Sequence, residues 1–326
     1  MNNTKPVLVG GEALYDLIST NPGKGLGGTT NFEKRPGGSP FNIAVGIQRL
    51  GTPTAFLGKF GTDQFGEALV AFLRSESVNV DHLIRELGTK TTLAFVAVDQ
   101  AGKVDFRFYR DHAADISLRT DEIGSFDPHD FSFYHCGGIV LAEEPTASAY
   151  ASVVQRFGAA GVPVSLDPTI RKSLISDESS YVAMLRRLIE QVSVLKVSDE
   201  ELEFITHKAE PDVAVRQLGI RPQSLVVVTV GSAGAFLYRG GQRLVHVPGY
   251  KVKVVETTGC GDSFMAAVLA QLAGYTIDEI GGLPVDKLIS MMRLANAAAA
   301  IVATRFGAAA ANPTRAEVEA FMSGHE

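Results

Sequence analysis

The chain alternates short apolar runs with segments whose apolar residues recur at helical spacing. The runs VPVSLDP, VSVLKVS and SLVVVTVG are rich in β-branched residues, and each is closed by a polar residue or a glycine. Amphipathic stretches such as ASAYASVVQRFGAAG lie between such runs. Apolar strands that alternate with helices are typical of βαβ units, whose parallel strands are covered by helices. The pattern therefore predicts an α/β fold with a mostly parallel central sheet flanked by helices.

The N-terminal part follows the same rhythm. PVLVGGEALYDL is predicted to open the chain as a strand, and TAFLGKFG to form another strand before the helix in QFGEALVAFLRSESV. FNIAVGIQRLG is predicted to be a helix, with Ser39 as its cap, Pro40 in its first turn and Gly51 at its end. Near the C-terminus, LANAAAAIVATRFGAAAANP indicates a closely packed helix followed by a loop.

Two segments break this rhythm. Thr20–Pro36, TNPGKGLGGTTNFEKRP, is polar and rich in glycine. Thr91–Tyr109, TTLAFVAVDQAGKVDFRFY, alternates apolar and polar residues on both sides of Asp99–Gly102, which is a hairpin pattern. A β excursion outside an α/β core can either close over a site as a lid or decorate the surface. The pattern alone leaves both interpretations open.

Composition excludes several classes of protein. The 326 residues suit one large domain or two small ones, and 45% are hydrophobic, as in ordinary globular chains. A net charge of -6 without a long basic run argues against nucleic-acid binding. Two cysteines, Cys136 and Cys260, are too few for a disulfide framework. With no signal-peptide pattern and no long apolar run, we expect a cytoplasmic protein that does not contact a membrane.

One turn carries a chemical signal. In VVETTGCGDSFMAAVLAQLAG, an apolar run becomes a helix through Gly259 and Gly261. Helix N-termini present unpaired N–H groups, and glycines let an anion approach the backbone closely. A carboxylate beside a bound phosphate is unfavourable unless it takes up a proton. Asp262 therefore fits the general base of a phosphoryl transfer to a hydroxyl, with the turn amides stabilising the phosphoryl charge.

Three other kinds of turn could have a similar sequence. A dinucleotide fingerprint would need a third small residue where Phe264 stands, and Asp278 does not follow a strand. No Gly-Lys pair is followed by Ser or Thr, so no P-loop is present. A merely tight turn, with Asp262 as a helix-start carboxylate, stays open on the residues of the turn alone.

Two motifs together resemble those of a known family. The turn ETTGCGD is similar to the second signature of the ribokinase/PfkB carbohydrate kinases, usually D-T-T-G-A-G-D. PGGSPFNIAVGIQRLGTPTAFLGKFG resembles their first signature and precedes the second, as in the family. The likeness extends over the whole chain and is strongest to fructokinases. It implies one ribokinase-like domain over residues 1–326, with a small β-sheet lid from about 14–36 and 91–112.

The resemblance also implies an activity and its partners. The expected reaction transfers a phosphoryl group from ATP, with Mg²⁺, to a free monosaccharide, and most closely resembles conversion of fructose to fructose 6-phosphate. Two alternatives are a 2-keto-3-deoxygluconate kinase, whose acidic sugar Arg107, Arg110 and Arg171 could bind, and a non-catalytic sugar-binding relative. Retention of Asp262 argues against the latter. The expected partners are the sugar and ATP, together with a second copy of the chain that dimerises through the lid.

Site residues follow from the resemblance position by position. Asp262 matches the base, and the amides of Gly259, Cys260 and Gly261 match the anion hole. The positions implied to bind the sugar are Asp16, Gly37, Gly38, Asn42, Arg110 and Arg171. The positions implied to bind the nucleotide are Lys196, Glu201, Thr229, Gly231, Gly234, Asn296, Gly307 and Ala308, with Glu201 also organising Mg²⁺ indirectly.

Several residues depart from the family pattern. Glu256 replaces the usual aspartate at a position which, with Thr258, supports a monovalent cation in several relatives, and its extra length argues against K⁺ activation. Cys260 replaces an alanine, and we expect a packed thiol, although a helix N-terminus can also lower a thiol pKa. Thr169 replaces the asparagine of D-P-N-x-R, and Ser198 stands where many members have asparagine.

Overall fold

The computed structural model describes residues 5–21, 23–98, 100 and 104–325. The strands in these residues are β1 Val7–Gly10, β2 Leu14–Ser19, β3 Phe32–Gly37, β4 Thr54–Gly61, β5 Leu83–Glu86, β6 Leu93–Val98, β7 Val104–Tyr109, β8 Phe133–Gly137, β9 Val164–Asp167, β10 Val194–Ser198, β11 Leu225–Thr229, β12 Ala235–Arg239 and β13 Gln242–Val247. Within them, no helix is both long and apolar enough to cross a membrane.

The helices lie between these strands and after the last one. They are α1 Ser39–Arg49, α2 Gln64–Ser75, α3 Thr146–Ala159, α4 Glu178–Ile189, α5 Asp199–Thr206, α6 Pro211–Arg216, α7 Cys260–Leu272, α8 Ile277–Gly282, α9 Val285–Ala303, α10 Ala308–Ala311 and α11 Arg315–Ser323. Short 3₁₀ turns occur at Ala114–Ile116, Thr120–Glu122, Pro128–Asp130, Ile139–Ala142, Lys172–Leu174 and Gly231–Ala233.

A large sheet forms the centre of the molecule, in the strand order β13-β12-β11-β10-β9-β8-β1-β4-β5. Its strands from β11 to β5 pair in parallel, and β12 and β13 add an antiparallel edge. Side chains alternate between the faces, so Val7 and Val9 join the core with α1, α7 and α9, and Leu8 joins the core with α3 and α4. The predicted mostly parallel α/β sheet is confirmed.

The second sheet is small, with the order β3-β2-β6-β7. The predicted hairpin is present, because β6 and β7 pair antiparallel. Of its predicted turn, Asp99, Ala101 and Gly102 lie outside the described residues. The expected single opening strand is wrong, since PVLVGGEALYDL divides into β1 in the large sheet and β2 in the small one. Gly11 allows this change of sheet, because a Cβ there would lie 2.1 Å from Pro40 Cγ.

The polar segment before Pro36 contains a strand that its composition alone does not predict. It ends in β3, an edge strand whose charged residues Glu33 and Lys34 are exposed. Charged side chains are common on edge strands because they discourage pairing with other chains. The alanine-rich C-terminal stretch likewise contains α9, but its predicted loop includes the short helix α10.

Helix α1 starts and ends through glycines. Its N-cap is Gly38, at φ +102° and without a side-chain cap, so the prediction of Ser39 as the cap is wrong. Gly51 follows the last turn at φ +90°, where the missing Cβ permits the left-handed conformation. Ser39 is instead the first residue of the helix, and its hydroxyl is free to point toward α7.

Helices α1 and α7 cross at very short range. A Cβ on Gly46 of α1 would lie 2.7 Å from the Cβ of Ala266 in α7 and 2.9 Å from Asn312 Oδ1. No real Cβ contact is that short, so glycine sets the distance between these helices. The crossing places the first turn of α1 beside the first turn of α7, where the candidate site lies.

We predict that Gly46→Ala destabilises the protein although alanine is the better helix former. Helix propensity alone favours alanine by about 1 kcal/mol, but the forced separation of α1 and α7 should cost roughly 1–3 kcal/mol. Urea unfolding measures the result. Gly158→Ala is the matched control, because this glycine of α3 has open space around it and should gain stability. Equal stabilisation of both variants would contradict the close crossing.

Candidate active site

The candidate site lies at the carboxyl ends of the parallel strands. Asp167 ends β9, Ser198 ends β10 and Thr229 ends β11. Ligands of open α/β sheets bind at this edge, where helix N-termini also point. The N-terminus of α7 meets the same edge, since a Cβ on Gly261 would lie 3.0 Å from Nζ of Lys196 in β10.

The glycine turn brings Asp262 to this edge. Gly259 is the N-cap of α7 at φ +84°, and a Cβ there would lie 2.7 Å from Ala308 Cβ. The Cys260 amide donates to the Thr257 carbonyl at 3.2 Å within the turn. The next amide, that of Gly261, lies in the first helical turn, where N–H groups lack intrahelical acceptors. The Gly261 amide is thus available to an anion one residue before Asp262, whereas the Cys260 amide, also matched to the anion hole, is used within the turn.

The Asp262 carboxylate of the second signature is held by two residues of the first signature. Ser39 Oγ donates to its Oδ1 at 2.7 Å, and Asn42 Nδ2 donates to its Oδ2 at 2.8 Å. Thr169 Oγ1 in turn donates to Ser39 Oγ at 3.1 Å. Two groups of α1 thus fix the carboxylate directly and Thr169 supports one of them, with the remaining lone pairs of the carboxylate oxygens available to a substrate proton.

This arrangement changes two of the sequence assignments. Asn42, matched to the sugar, spends its amide nitrogen on Asp262 and retains only Oδ1 without a partner in the described part of the chain. Ser39 was assigned no role at the site. Its place directly before Pro40 predicts a helix cap and gives no sign of a contact with α7.

Asp16 projects from β2 of the small sheet toward the same region. A Cβ on Gly37 would lie 2.2 Å from Asp16 Oδ2, so the neighbouring strand must carry glycine there. Burial, followed by the charges of Asp262 and Glu256, raises the pKa of Asp16 to about 7. Asp16 therefore lies close enough to Asp262 and to Glu256 for each of them to disfavour its ionisation.

Glu12 is a buried carboxyl that sequence reasoning missed. Its Oε1 accepts the Ser39 backbone N–H at 3.2 Å, and its Oε2 has no partner within the described residues. A Cβ on Gly138 would lie 2.1 Å from Oε2. Burial raises the pKa of Glu12 to about 7. By accepting the Ser39 N–H, Glu12 stabilises the first turn of α1.

Arg110 is buried and presents donors without protein acceptors. Its Nη2 lies 2.8 Å from Asp115 Oδ2, and Thr92 Oγ1 donates to Asp115 Oδ1 at 2.5 Å. In the described residues its Nε and Nη1 have no partner. Buried donors without partners are costly unless a ligand satisfies them. Asp115, which sequence analysis did not single out, orients this guanidinium.

Arg171 is more loosely placed than Arg110. It is exposed, donates to the Ile170 carbonyl at 3.4 Å, and lies over the ring of Phe106 in β7 at 5.5 Å. Its charge acts on Asp16, whose pKa it lowers against the larger effects of burial and neighbouring carboxylates. Arg171 thus stands between the small sheet and the edge of the large one.

Lys196 and Asp167 form a buried ion pair beside the glycine turn, 2.8 Å between Nζ and Oδ2. Burial lowers the pKa of Lys196, but the charges of Asp167 and Glu201 outweigh it and raise the pKa above its usual value. Burial raises the pKa of Asp167 to about 7, against the stabilising charge of Lys196. The ammonium is therefore retained next to the backbone donors, where an anion would meet it.

Glu201 closes a capping box at the start of α5. Its Oε2 accepts the Ser198 N–H and its Oε1 accepts the Ile170 N–H, both at 2.8 Å. Since both oxygens already accept amide hydrogens, the residue fits a water-mediated role toward Mg²⁺ better than direct ligation. The described residues hold no group of three or more His, Cys, Asp or Glu side chains that could by itself hold a metal ion.

The residues matched to the nucleotide surround a second part of the edge. Gly234, at φ +99°, packs where a Cβ would lie 2.2 Å from the Val247 carbonyl oxygen. Asn296 Nδ2 donates to the carbonyls of Val247 and Pro248 at 3.1 Å, so it supports this loop. Gly231 lies at φ +57° and Gly307 at φ +90°. Three exposed apolar side chains near these loops were not predicted: Val254, Val255 and Phe306.

Glu256 and Cys260 are the two residues of the turn that depart from the family signature. Glu256 Oε2 accepts from Arg35 Nη1 at 2.6 Å and from the Gly307 N–H at 3.2 Å. Burial, followed by the charges of Asp262 and Glu256, raises the pKa of the Cys260 thiol to about 11. The lowered thiol pKa considered for this helix N-terminus is therefore wrong, and the thiol is a packed side chain.

Comparisons with known proteins agree on one family. The pfkB family carbohydrate kinase pattern matches residues 4–315. The chain is 36% identical over 325 residues to probable fructokinase-5 of Arabidopsis thaliana, covering 99% of this chain and 98% of that protein. It is similar to the crystal structure of fructokinase with bound ATP from Xylella fastidiosa, with a TM-score of 0.88, 29% identity and 99% of both chains covered.

A further solved structure is similar over nearly the same length. It is a fructokinase double mutant from Vibrio cholerae O395 in a form with fructose, ADP and potassium ion bound. The TM-score is 0.84 at 30% identity, and the match covers 98% of this chain and 99% of that one.

We predict that Asp16→Asn stabilises the ligand-free protein more at pH 8 than at pH 5. An unfolded aspartate ionises near pH 4, whereas Asp16 in the folded chain ionises near 7. The native state therefore retains a proton in this window, and the stability linked to Asp16 is lost as pH rises from about 4 to 7. Asparagine cannot ionise and escapes the loss. Thermal unfolding without ligands measures the difference, and an equal effect at both pH values would contradict the prediction.

Proposed function

Because the chain belongs to the pfkB family of carbohydrate kinases, and is thus a phosphotransferase acting on an alcohol group, we propose that its substrate is fructose and its donor ATP. The product is fructose 6-phosphate, with ADP released. The observation that carries the proposal is the Asp262 carboxylate, held by Ser39 and Asn42 one residue after a turn of backbone donors.

The sugar side of the proposal uses the small sheet. Asp16 accepts hydrogen bonds from sugar hydroxyls, while the unpartnered nitrogens of Arg110 donate to sugar oxygens. Gly37 lets the Asp16 carboxylate lie against β3, and Gly38 lets the start of α1 pack against the Glu12 backbone, so both glycines keep Asp16 and α1 in place beside the sugar. The small sheet, formed by 14–19, 32–37, 93–98 and 104–109, acts as the lid. Covering the sugar excludes water, which would otherwise compete for the phosphoryl group.

Asp262 acts on the attacking hydroxyl. It accepts the proton as the hydroxyl oxygen bonds to the γ-phosphorus, and the bond from that phosphorus to the ADP oxygen breaks. The two hydrogen bonds from α1 hold the carboxylate in one orientation during this step. Positioning of this kind supplies much of the rate enhancement where little covalent chemistry falls to the protein.

The phosphoryl side uses charges and amides that are already in place. Lys196 Nζ and the Gly261 amide lie beside the place of the transferred group. Glu201 would hold Mg²⁺ through water, and the ion would supply neutralisation of the phosphate charge. The glycines of the loops at 231–234 and 307 let ATP approach the backbone. Exposed Val254, Val255 and Phe306 offer apolar area to the adenine ring.

Fructose is preferred over the alternatives for two reasons. The relatives described above are fructokinases, and one of them was solved with fructose bound. A non-catalytic relative would have no need for a carboxylate held as firmly as Asp262. Dimerisation through the small sheet stays a prediction, consistent with the exposure of Tyr109 at its edge.

The test is an ADP-release assay with MgATP over fructose, ribose, glucose, 2-keto-3-deoxygluconate and adenosine. We expect kcat/KM for fructose to exceed that of each other acceptor by at least about 10-fold, since a site built to bond particular hydroxyls discriminates strongly. A preference for another acceptor would refute the choice of fructose but keep the kinase. Absence of turnover with all five would support the non-catalytic alternative.

A further inference from the structure

The position matched to a monovalent cation is already in contact with a positive charge. Arg35 Nη1 lies 2.6 Å from Glu256 Oε2, and both side chains are largely buried, with 12% and 16% of their side-chain surface exposed. A cation bound at this carboxylate would have to share it with a guanidinium. The residues present therefore do not fit the cation site of the relatives.

Glu256 lies beside the C-terminal end of α9. Ala303 is the last residue of α9. Its carbonyl accepts the backbone N–H of Val255 at 2.7 Å and that of Glu256 at 3.3 Å. The C-terminal end of a helix carries the negative end of its dipole. A carboxylate placed there needs a positive partner, and within the described residues the structure supplies Arg35.

Arg35 reaches this place from the small sheet. It belongs to β3 and pairs in register with Asp16 of β2, so both side chains lie on one face of the sheet. Its guanidinium also lies over the Phe306 ring at 5.3 Å, and its Nη2 bonds Glu33 at 2.8 Å. A guanidinium that stacks on a ring and donates hydrogen bonds on two sides binds particular partners in fixed directions, whereas a spherical ion has no such directionality.

Glu256 passes this connection to the anion turn. Its Oε2 accepts the Gly307 N–H at 3.2 Å, and the adjoining Ala308 packs against Gly259, the N-cap of α7. One carboxylate thus joins the small sheet, the loop before α10 and the segment that leads to the backbone donors. Arg35, which pairs with the sugar-side residue Asp16, is thereby linked through Glu256 to the turn that faces the phosphate.

We propose that Arg35 is a positioning residue that takes the place of the monovalent cation and ties the lid to the anion turn. The kinase then needs no K⁺, and its anion turn is ordered by a charge carried on the lid itself. This inference deepens the proposed function, on which it rests for the identity of the phosphoryl acceptor.

The test compares K⁺, Na⁺ and choline chlorides at one ionic strength, using fructose and MgATP. The wild type should differ by less than about 1.5-fold between salts. Arg35→Gln exposes the Glu256 carboxylate and should lose at least about 10-fold in kcat/KM for ATP in choline, with at least about threefold recovery in K⁺, because a cation can now bind. The double variant Arg35→Gln/Glu256→Gln should show no recovery of kcat/KM in K⁺. Independent structural damage at the two positions would not produce this coupling between the substitutions.

Glu33→Gln is the matched control, because it removes the other, exposed partner of the same guanidinium and leaves the pair with Glu256 in place. It should match the wild type in all three salts. Activation of the wild type by K⁺ of more than about threefold would overturn the proposal. An Arg35→Gln protein that behaves like the wild type in every salt would do the same.

A second readout is independent of the substrate. Ligand binding to the native state raises the unfolding midpoint, so the midpoint of ligand-free Arg35→Gln should be higher in K⁺ than in choline, and that of the wild type should not. If Arg35→Gln is inactive in every salt, this shift decides: its presence supports the proposal and its absence contradicts it. A wrong choice of fructose would leave the thermal result unchanged.

Discussion

The structure depends on one contact, the meeting of the first turn of α1 with the first turn of α7 at the Asp262 carboxylate. Ser39 and Asn42 lie near the start of the chain and Asp262 near its end, so only the complete fold assembles the group. Gly46 allows the two helices to approach closely enough for these bonds. The parallel sheet then holds both helices at the edge where a phosphate donor can reach them.

The same edge concentrates negative charge at a cost in stability. Burial raises the pKa of Glu12, Asp16 and Asp167 to about 7 each. Buried carboxylates that repel one another destabilise a ligand-free protein, and sites of function often carry such a cost. Lys196 offsets part of it next to Asp167, and Arg35 does so next to Glu256. The two cations lie at different parts of the site, Lys196 beside the glycine turn and Arg35 on the small sheet.

Much of the fold could be predicted from the sequence because periodicity records burial. Strands such as VSVLKVS and the antiparallel pair of β6 and β7 follow from apolar spacing. The division of PVLVGGEALYDL between two sheets could not, since it depends on the contact between Gly11 and Pro40. Ser39 and Asp115 were missed for a related reason. Their roles come from partners far away in the chain, and a serine before a proline has the same appearance whether it caps a helix or holds a carboxylate.

The most direct measurement of the central claim is the turnover of Asp262→Asn with fructose and MgATP, beside Ser39→Ala. Loss of the base should lower kcat at least about 100-fold while circular dichroism and ATP binding stay as in the wild type. Ser39→Ala leaves the carboxylate with the bond from Asn42, so its kcat should lie between that of the wild type and that of Asp262→Asn. Near-normal turnover of Asp262→Asn would contradict the account, because the carboxylate that the fold holds so firmly would then have no part in the reaction.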